Sequence, residues 1–158
     1  MSKITPCLWF DGNAEEAARF YTSLLPDSRI DHVMMSPMDT PGGKQGSVLL
    51  VEFTLAGQSY WAMNGGPQYH FTEAISMAVS CVDQAEIDRL WQALTANGGQ
   101  PVQCGWLKDK FGLAWQIVPK DFMRMIKDKD PAKVKRVFEA MTKMIKLDIA
   151  ALQKAYAG

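Results

Sequence analysis

The chain is poor in the residues from which most cofactor and metal sites are built, with two histidines and three cysteines among 158 residues. Cys7, Cys81 and Cys104 are odd in number, and none belongs to a Cys-x-x-Cys pair. Such a set excludes a disulfide framework and a structural zinc site of the usual spacing, so reduced thiols are expected. Cys7 and Cys81 lie in apolar runs and read as small buried hydrophobes. Long apolar runs are missing too. No window approaches the roughly 18 continuous apolar residues of a membrane helix, and Met1-Ser2-Lys3-Ile4 opens no apolar targeting segment. The expectation is a cytoplasmic protein with no membrane partner. Neither sign of charge is in excess, since 17 Lys and Arg balance 17 Asp and Glu. Without a net positive field the chain has nothing to gather nucleic acid, which leaves a small molecule or another protein as partner. A Gly-rich turn between a strand and a helix is also absent. Gly42-Gly43, Gly65-Gly66 and Gly98-Gly99 stand in loops or after a helix, away from where a nucleotide-type cofactor needs close backbone approach.

What is present is a repeated order of elements. Ile4 to Phe10 is a short apolar and aromatic run closed by Asp11-Gly12-Asn13, a strand and its turn. Ala14, Ala17, Ala18, Tyr21 and Leu25 then recur at helical spacing, with Asn13 as the cap and Pro26 as the stop. Arg29 to Ser36 reads as a strand, and residues 37–46, rich in Pro, Gly, Asp and Ser, as a mobile loop. Val48 to Leu55 and Ser59 to Asn64 form a hairpin around Ala56-Gly57-Gln58. The same order begins again after a polar connector. Ile75 to Val82 is a strand and Asp83 a cap. Ile87, Leu90, Trp91 and Leu94 form a helical stripe ending at Asn97-Gly98-Gly99. Pro101 to Trp106 and Leu113 to Val118 follow as strands around a turn at Lys108 to Gly112. Glu16, Arg19, Phe20 and Tyr21 even find counterparts in Glu86, Arg89, Leu90 and Trp91. The fold class predicted is α+β, two βαβββ modules over 1–66 and 74–120 within one domain of residues 1–128.

Residues 129–158 read as a helical tail. Asp130 caps, Pro131 takes the first position, and Val134, Val137, Phe138, Met141, Met144 and Ile145 make one apolar face that Ile149, Leu152 and Tyr156 continue. That face must be covered, by its own domain or by a partner subunit.

Two blocks carry a family resemblance. Pro6-Cys7-Leu8-Trp9-Phe10-Asp11-Gly12-Asn13-Ala14-Glu15-Glu16-Ala17 with Phe20-Tyr21 is the first. Cys104-Gly105-Trp106 through Lys108-Asp109-Lys110-Phe111-Gly112 to Trp115-Gln116-Ile117-Val118-Pro119 is the second and more specific. Together with the Met-rich stretch Phe138 to Asp148 they resemble the PhnB-like branch of the vicinal-oxygen-chelate superfamily, the glyoxalase, bleomycin-resistance and dioxygenase group. The resemblance implies two curled sheets forming an incomplete barrel around a small-molecule cavity, and a homodimer. Members of the branch are often labelled 3-demethylubiquinone 3-methyltransferase, which implies an enzyme as the alternative to a binding protein. A metal-dependent lyase or dioxygenase of the same superfamily is the other enzymatic alternative.

Metal-dependent relatives bind their ion through His on the first strand and Glu on the last strand of each module. Here Gln116 stands where the resemblance places the second Glu, and no His lies near Thr5, Pro6, Cys7, Ser76 or Met77. His32 and His70 read as solvated surface residues. No metal and no cofactor is therefore expected. Strand alternation puts Gln116 with Ala114 and Val118 on one face and Trp115 with Ile117 on the other. Glu52 interrupts its strand on the side opposite Leu49, Val51, Phe53 and Leu55. Glu52 is the candidate base and Gln116 the candidate hydrogen-bonding group. Trp9, Trp61 and Trp106 are candidate flat walls of a substrate site, with Cys7 beside them, while Trp91 belongs to the helix stripe and the core.

Overall fold

A computed structural model describes residues 3–158; of the opening stretch that bears on targeting, Met1 and Ser2 lie outside the described residues. The chain divides into two compact units, Met1–Phe71 and Thr72–Gly158.

The first unit runs β1 (Cys7–Phe10), α1 (Ala14–Leu24), β2 (Arg29–Met35), β3 (Val48–Leu55) and β4 (Gln58–Asn64). Its sheet has the order β1-β4-β3-β2, with β1 parallel to β4 and the other pairs antiparallel. The Ala56-Gly57 turn that joins β3 to β4 has φ of 47° and 80°, the left-handed pair that a two-residue hairpin demands. Strand alternation sends Leu8, Phe10, Val51, Phe53, Leu55 and Ala62 to one face, all buried. Helix α1 covers that face with Ala14, Ala17, Ala18, Tyr21 and Leu24. Its alanines let the helix lie close to the sheet, and Tyr21 and Phe53, both essentially fully buried, contribute about 2 kcal/mol each by burial. The helix ends at Leu24 because Leu25, ahead of Pro26, is forced into extended backbone.

Two local expectations are corrected here. Asn13 makes no side-chain cap; the N–H of Ala14 is instead received by Asn64 Oδ1 at 3.0 Å, from the last strand of the module. The loop at residues 37–46 is fastened rather than free: Asp39 accepts from Gln45 N–H and Lys44 Nζ, both at 2.9 Å, and Thr40 bridges Gly43. A Cβ on Gly42 would fall 2.0 Å from the Asn64 carbonyl oxygen, so only glycine lets the loop settle there.

The second unit repeats the plan with β5 (Ser76–Cys81), α2 (Gln84–Thr95), β6 (Gln100–Pro101), β7 (Trp106–Lys108) and β8 (Ala114–Pro119). The order β5-β8-β7-β6, with β5 parallel to β8, is the topology of the first sheet over again. Both sheets are open, with free edges. The α+β class and the two βαβββ modules thus hold. Helix α2 has a cap of its own: Asp83 accepts from Glu86 N–H at 2.8 Å, and Glu86 reaches back to Val82 N–H at 2.7 Å. The stretch expected as strand from Pro101 to Trp106 is mostly loop, since Cys104 (φ 61°) and Gly105 (φ 82°) turn the backbone away from extended geometry.

After a short α3 (Phe122–Ile126), the tail of residues 129–158 is two helices rather than one continuous stripe, α4 (Pro131–Met141) and α5 (Ile149–Ala157), capped by Asp130 and Asp148. Asp148 begins a new helix, which breaks the stripe after Ile145. Phe122, Met125, Val137, Leu147 and Leu152 form a buried cluster against Val118 of β8, so much of the apolar face is covered within its own unit. Phe138 and Ile145 stay exposed.

Candidate functional site

In the first unit the face away from α1 is the open one. The strand registers lay a row of four residues across it: Cys7 opposes Trp61, Trp61 opposes Glu52, and Glu52 opposes His32. Directly opposed residues hold their Cβ atoms about 5 Å apart, so the carboxylate sits between an indole and an imidazole. His32 reaches this position through a register shift in β2 at Asp31. Asp31 itself accepts from Thr54 Oγ1 at 2.6 Å and pairs with Arg29. Glu52 is half-buried and Trp61 is 41% exposed. The next row, Trp9, Met63, Leu50 and Met34, is apolar throughout.

Trp9 is held in one orientation. Its Nε1–H donates to the Gly66 carbonyl at 2.9 Å, and its ring meets Tyr69 edge to face with centroids 5.0 Å apart. A Cβ on Gly65 would lie 2.3 Å from the indole, so glycine is needed for the ring to lie flat on that backbone. Cys7, expected in the core, is exposed because it alternates with the buried Leu8 and Phe10. Partial shielding by its neighbours still pushes the Cys7 thiol upward.

In the second unit the open face carries Gln116 opposite both Trp106 and Ala78. The Gln116 amide Nε2 donates to Ser76 Oγ at 2.9 Å, which orients the side chain and leaves its carbonyl oxygen to accept. The adjoining row is Ser76, Ala114, Lys108 and Gln100, and Lys108 Nζ meets Glu73 at 2.6 Å. On the opposite face Trp115 and Ile117 are buried, as alternation requires. Asp109, 2% exposed, organises the β7–β8 turn by accepting from Phe111 N–H, Leu113 N–H and Trp115 Nε1–H. Trp91 is half-buried.

Cys7, Trp61 and Glu52 share a row, and Trp106 and Gln116 are direct partners, while Trp9 is turned against the connector. His32 is exposed, in keeping with its reading as a surface residue, and a bulge decides that it pairs with Glu52; sequence reading gave no role to Ser76 and Lys108, which acquire meaning only from the register. Among the described residues no three His, Cys, Asp or Glu side chains form a set able to hold a metal ion. A separate cleft near Cys81, Lys120, Asp121 and Ile149 lies between the ends of β5 and β8 and helix α5.

Paired βαβββ modules with open mixed sheets define the fold of the vicinal-oxygen-chelate superfamily. The family of 3-demethylubiquinone-9 3-methyltransferase matches residues 2–118, and the chain belongs to that PhnB-like family. A PhnB protein from Bacillus cereus is 35% identical, with 75% of this chain and 99% of that one covered at a TM-score of 0.68. Protein PA1353 from Pseudomonas aeruginosa shares the fold at 21% identity and a TM-score of 0.63, covering 76% of this chain and 98% of its own. So does FosX, the fosfomycin resistance protein of Listeria monocytogenes solved with Mn(II) and sulfate. There the identity is 14% and the TM-score 0.51, over 80% of this chain and 95% of the other. No curated protein matches the chain. The family match stops at β8, so α3, α4 and α5 lie beyond it.

Proposed function

We propose that the chain is a metal-free, cytoplasmic, homodimeric protein that binds a planar, largely apolar small molecule on its open sheet faces. The observation that carries this reading is the row Cys7, Trp61, Glu52 and His32. It leaves a large indole 41% exposed on a sheet face whose next row is wholly apolar. An aromatic surface left in contact with water beside a single carboxylate suits a flat ligand carrying one hydrogen-bond donor. Trp9, fixed by Gly66 and Tyr69, and Trp106, beside Gln116, supply further walls, and Gln116 accepts a hydrogen bond through its free carbonyl oxygen. Titration of the purified protein with planar aromatic ligands, followed by tryptophan emission, tests the reading. A saturable change that is reduced in Trp61→Phe supports it, and no saturable change with any ligand class refutes it. Elemental analysis of the same sample is expected to find no stoichiometric divalent ion.

Glu52 supports a second reading, an enzyme of this superfamily. A half-buried carboxylate between Trp61 and His32 is placed to take a proton from a bound ligand, with His32 able to orient it. The family's methyltransferase description and the Mn(II)-bound FosX give the two reaction classes to try. Turnover that is unchanged in Glu52→Gln removes the base, and a stoichiometric metal replaces the metal-free reading.

A further inference from the structure

We infer that the open face of the second module contains an oxyanion-recognising subsite, centred on Lys108 and occupied from within by Glu73, that selects planar organic acids. The inference deepens the ligand-binding reading above and rests on it. Of the strand residues on that face, Lys108 alone carries a charge. Its strand partner Ala114 is small and buried, and beyond Ala114 stands Ser76, so the lysine and the serine hydroxyl lie on either side of a covered alanine. Ser76 accepts from Gln116, which leaves its own hydroxyl proton to donate. Trp106 lies two residues from Lys108 on the same face and gives a flat surface next to the charge. A ligand with an apolar ring and an oxyanion head meets all three groups: ring on Trp106, head on Lys108 and Ser76.

Glu73 shows that the place accepts a carboxylate. It comes from the connector before β5, reaches Lys108 Nζ at 2.6 Å, and is 56% exposed while the lysine is 35% exposed. Its hydrogen bond with Lys108 holds the carboxyl below the usual range, so it is ionised in neutral solution. An ion pair this open to water is weak. A ligand that adds ring stacking and the Ser76 hydroxyl to the same contact displaces it, and Glu73 then swings into solvent at little cost. Glu73 is thus an exchangeable stand-in for the ligand's own acid group.

The test uses the full chain, with benzoate and its uncharged analogue benzamide titrated calorimetrically at low ionic strength. Benzoate is expected to bind about tenfold more tightly than benzamide, and Lys108→Gln to bring the two within about twofold. Glu73→Gln, at an exposed position, is expected to tighten benzoate about threefold and leave benzamide unchanged, since only the acid competes with Glu73. Measurable but equal binding of the two probes overturns the charged subsite and leaves the ligand-binding reading standing, as does a benzoate advantage that survives in Lys108→Gln. Binding of neither probe overturns both.

Discussion

Cys81 and Cys7 began with the same sequence description and ended in opposite environments. Cys81 has no exposed surface, and its burial, with Glu86 nearby adding repulsion, pushes the thiol from an ordinary 9.0 up to about 12. Cys7 faces outward from its strand. Brief alkylation with iodoacetamide at neutral pH, read by mass spectrometry, is expected to label Cys7 ahead of Cys81, because the thiolate is the nucleophile and access is required. Equal labelling counts against the placement. The linkage sign follows from the same burial. Folding disfavours the Cys81 thiolate, so the associated stability is whole below about pH 9 and is lost as pH rises toward 12. A melting temperature that falls over that interval less in Cys81→Ala than in the parent chain is the expected signature.

At the level of elements, the two helices of the modules are anchored differently. Asp83 and Glu86 close the start of α2 from positions next to it, whereas α1 depends on Asn64, fifty residues away in sequence. Asn64 also donates through Nδ2 to the Val48 carbonyl at 2.9 Å, and is 5% exposed. Asn64→Ala is therefore expected to cost about 1–2 kcal/mol in denaturant unfolding, while Asn13→Ala, at the position sequence reading favoured, changes stability by only about 0.5 kcal/mol. The reverse order would show that the cap lies at Asn13. The strand faces were legible because alternation has a period of two: Glu52 and Gln116 stand where Leu49, Val51 and Phe53 on one strand, and Trp115 and Ile117 on the other, required. What alternation cannot give is register. The bulge at Asp31 decides that His32 faces Glu52, and the pairing of β7 with β8 decides that Lys108 stands across Ala114 from Ser76. The tail was legible as amphipathic, but not as two pieces, because Asp148 reads as a polar residue within a stripe until its carboxylate is seen to receive the N–H of Ala151.

For the whole molecule, the sequence carried the repeat, and the repeat carried the fold. One order of elements used twice, with identical sheet topologies, could be read from turn and cap residues without knowing a single contact. No helix among the described residues is long and apolar enough to cross a membrane, yet Met34, Met35, Met38 and Trp61 on the first unit and Phe138 and Ile145 on the tail are exposed. Apolar surface of this extent fits a second copy of the chain. Light scattering is expected to return about 35 kDa, twice the chain mass, and a mass near that of one chain would remove the homodimer from the proposal.

The lending of Asn64 to α1 also sets an order of events on the ribosome. The second helix can close its first turn as soon as Glu86 has followed Asp83 out of the exit tunnel. The first cannot be completed until the entire hairpin behind it has been translated, so the amino-terminal half, though made first, waits on its own last strand.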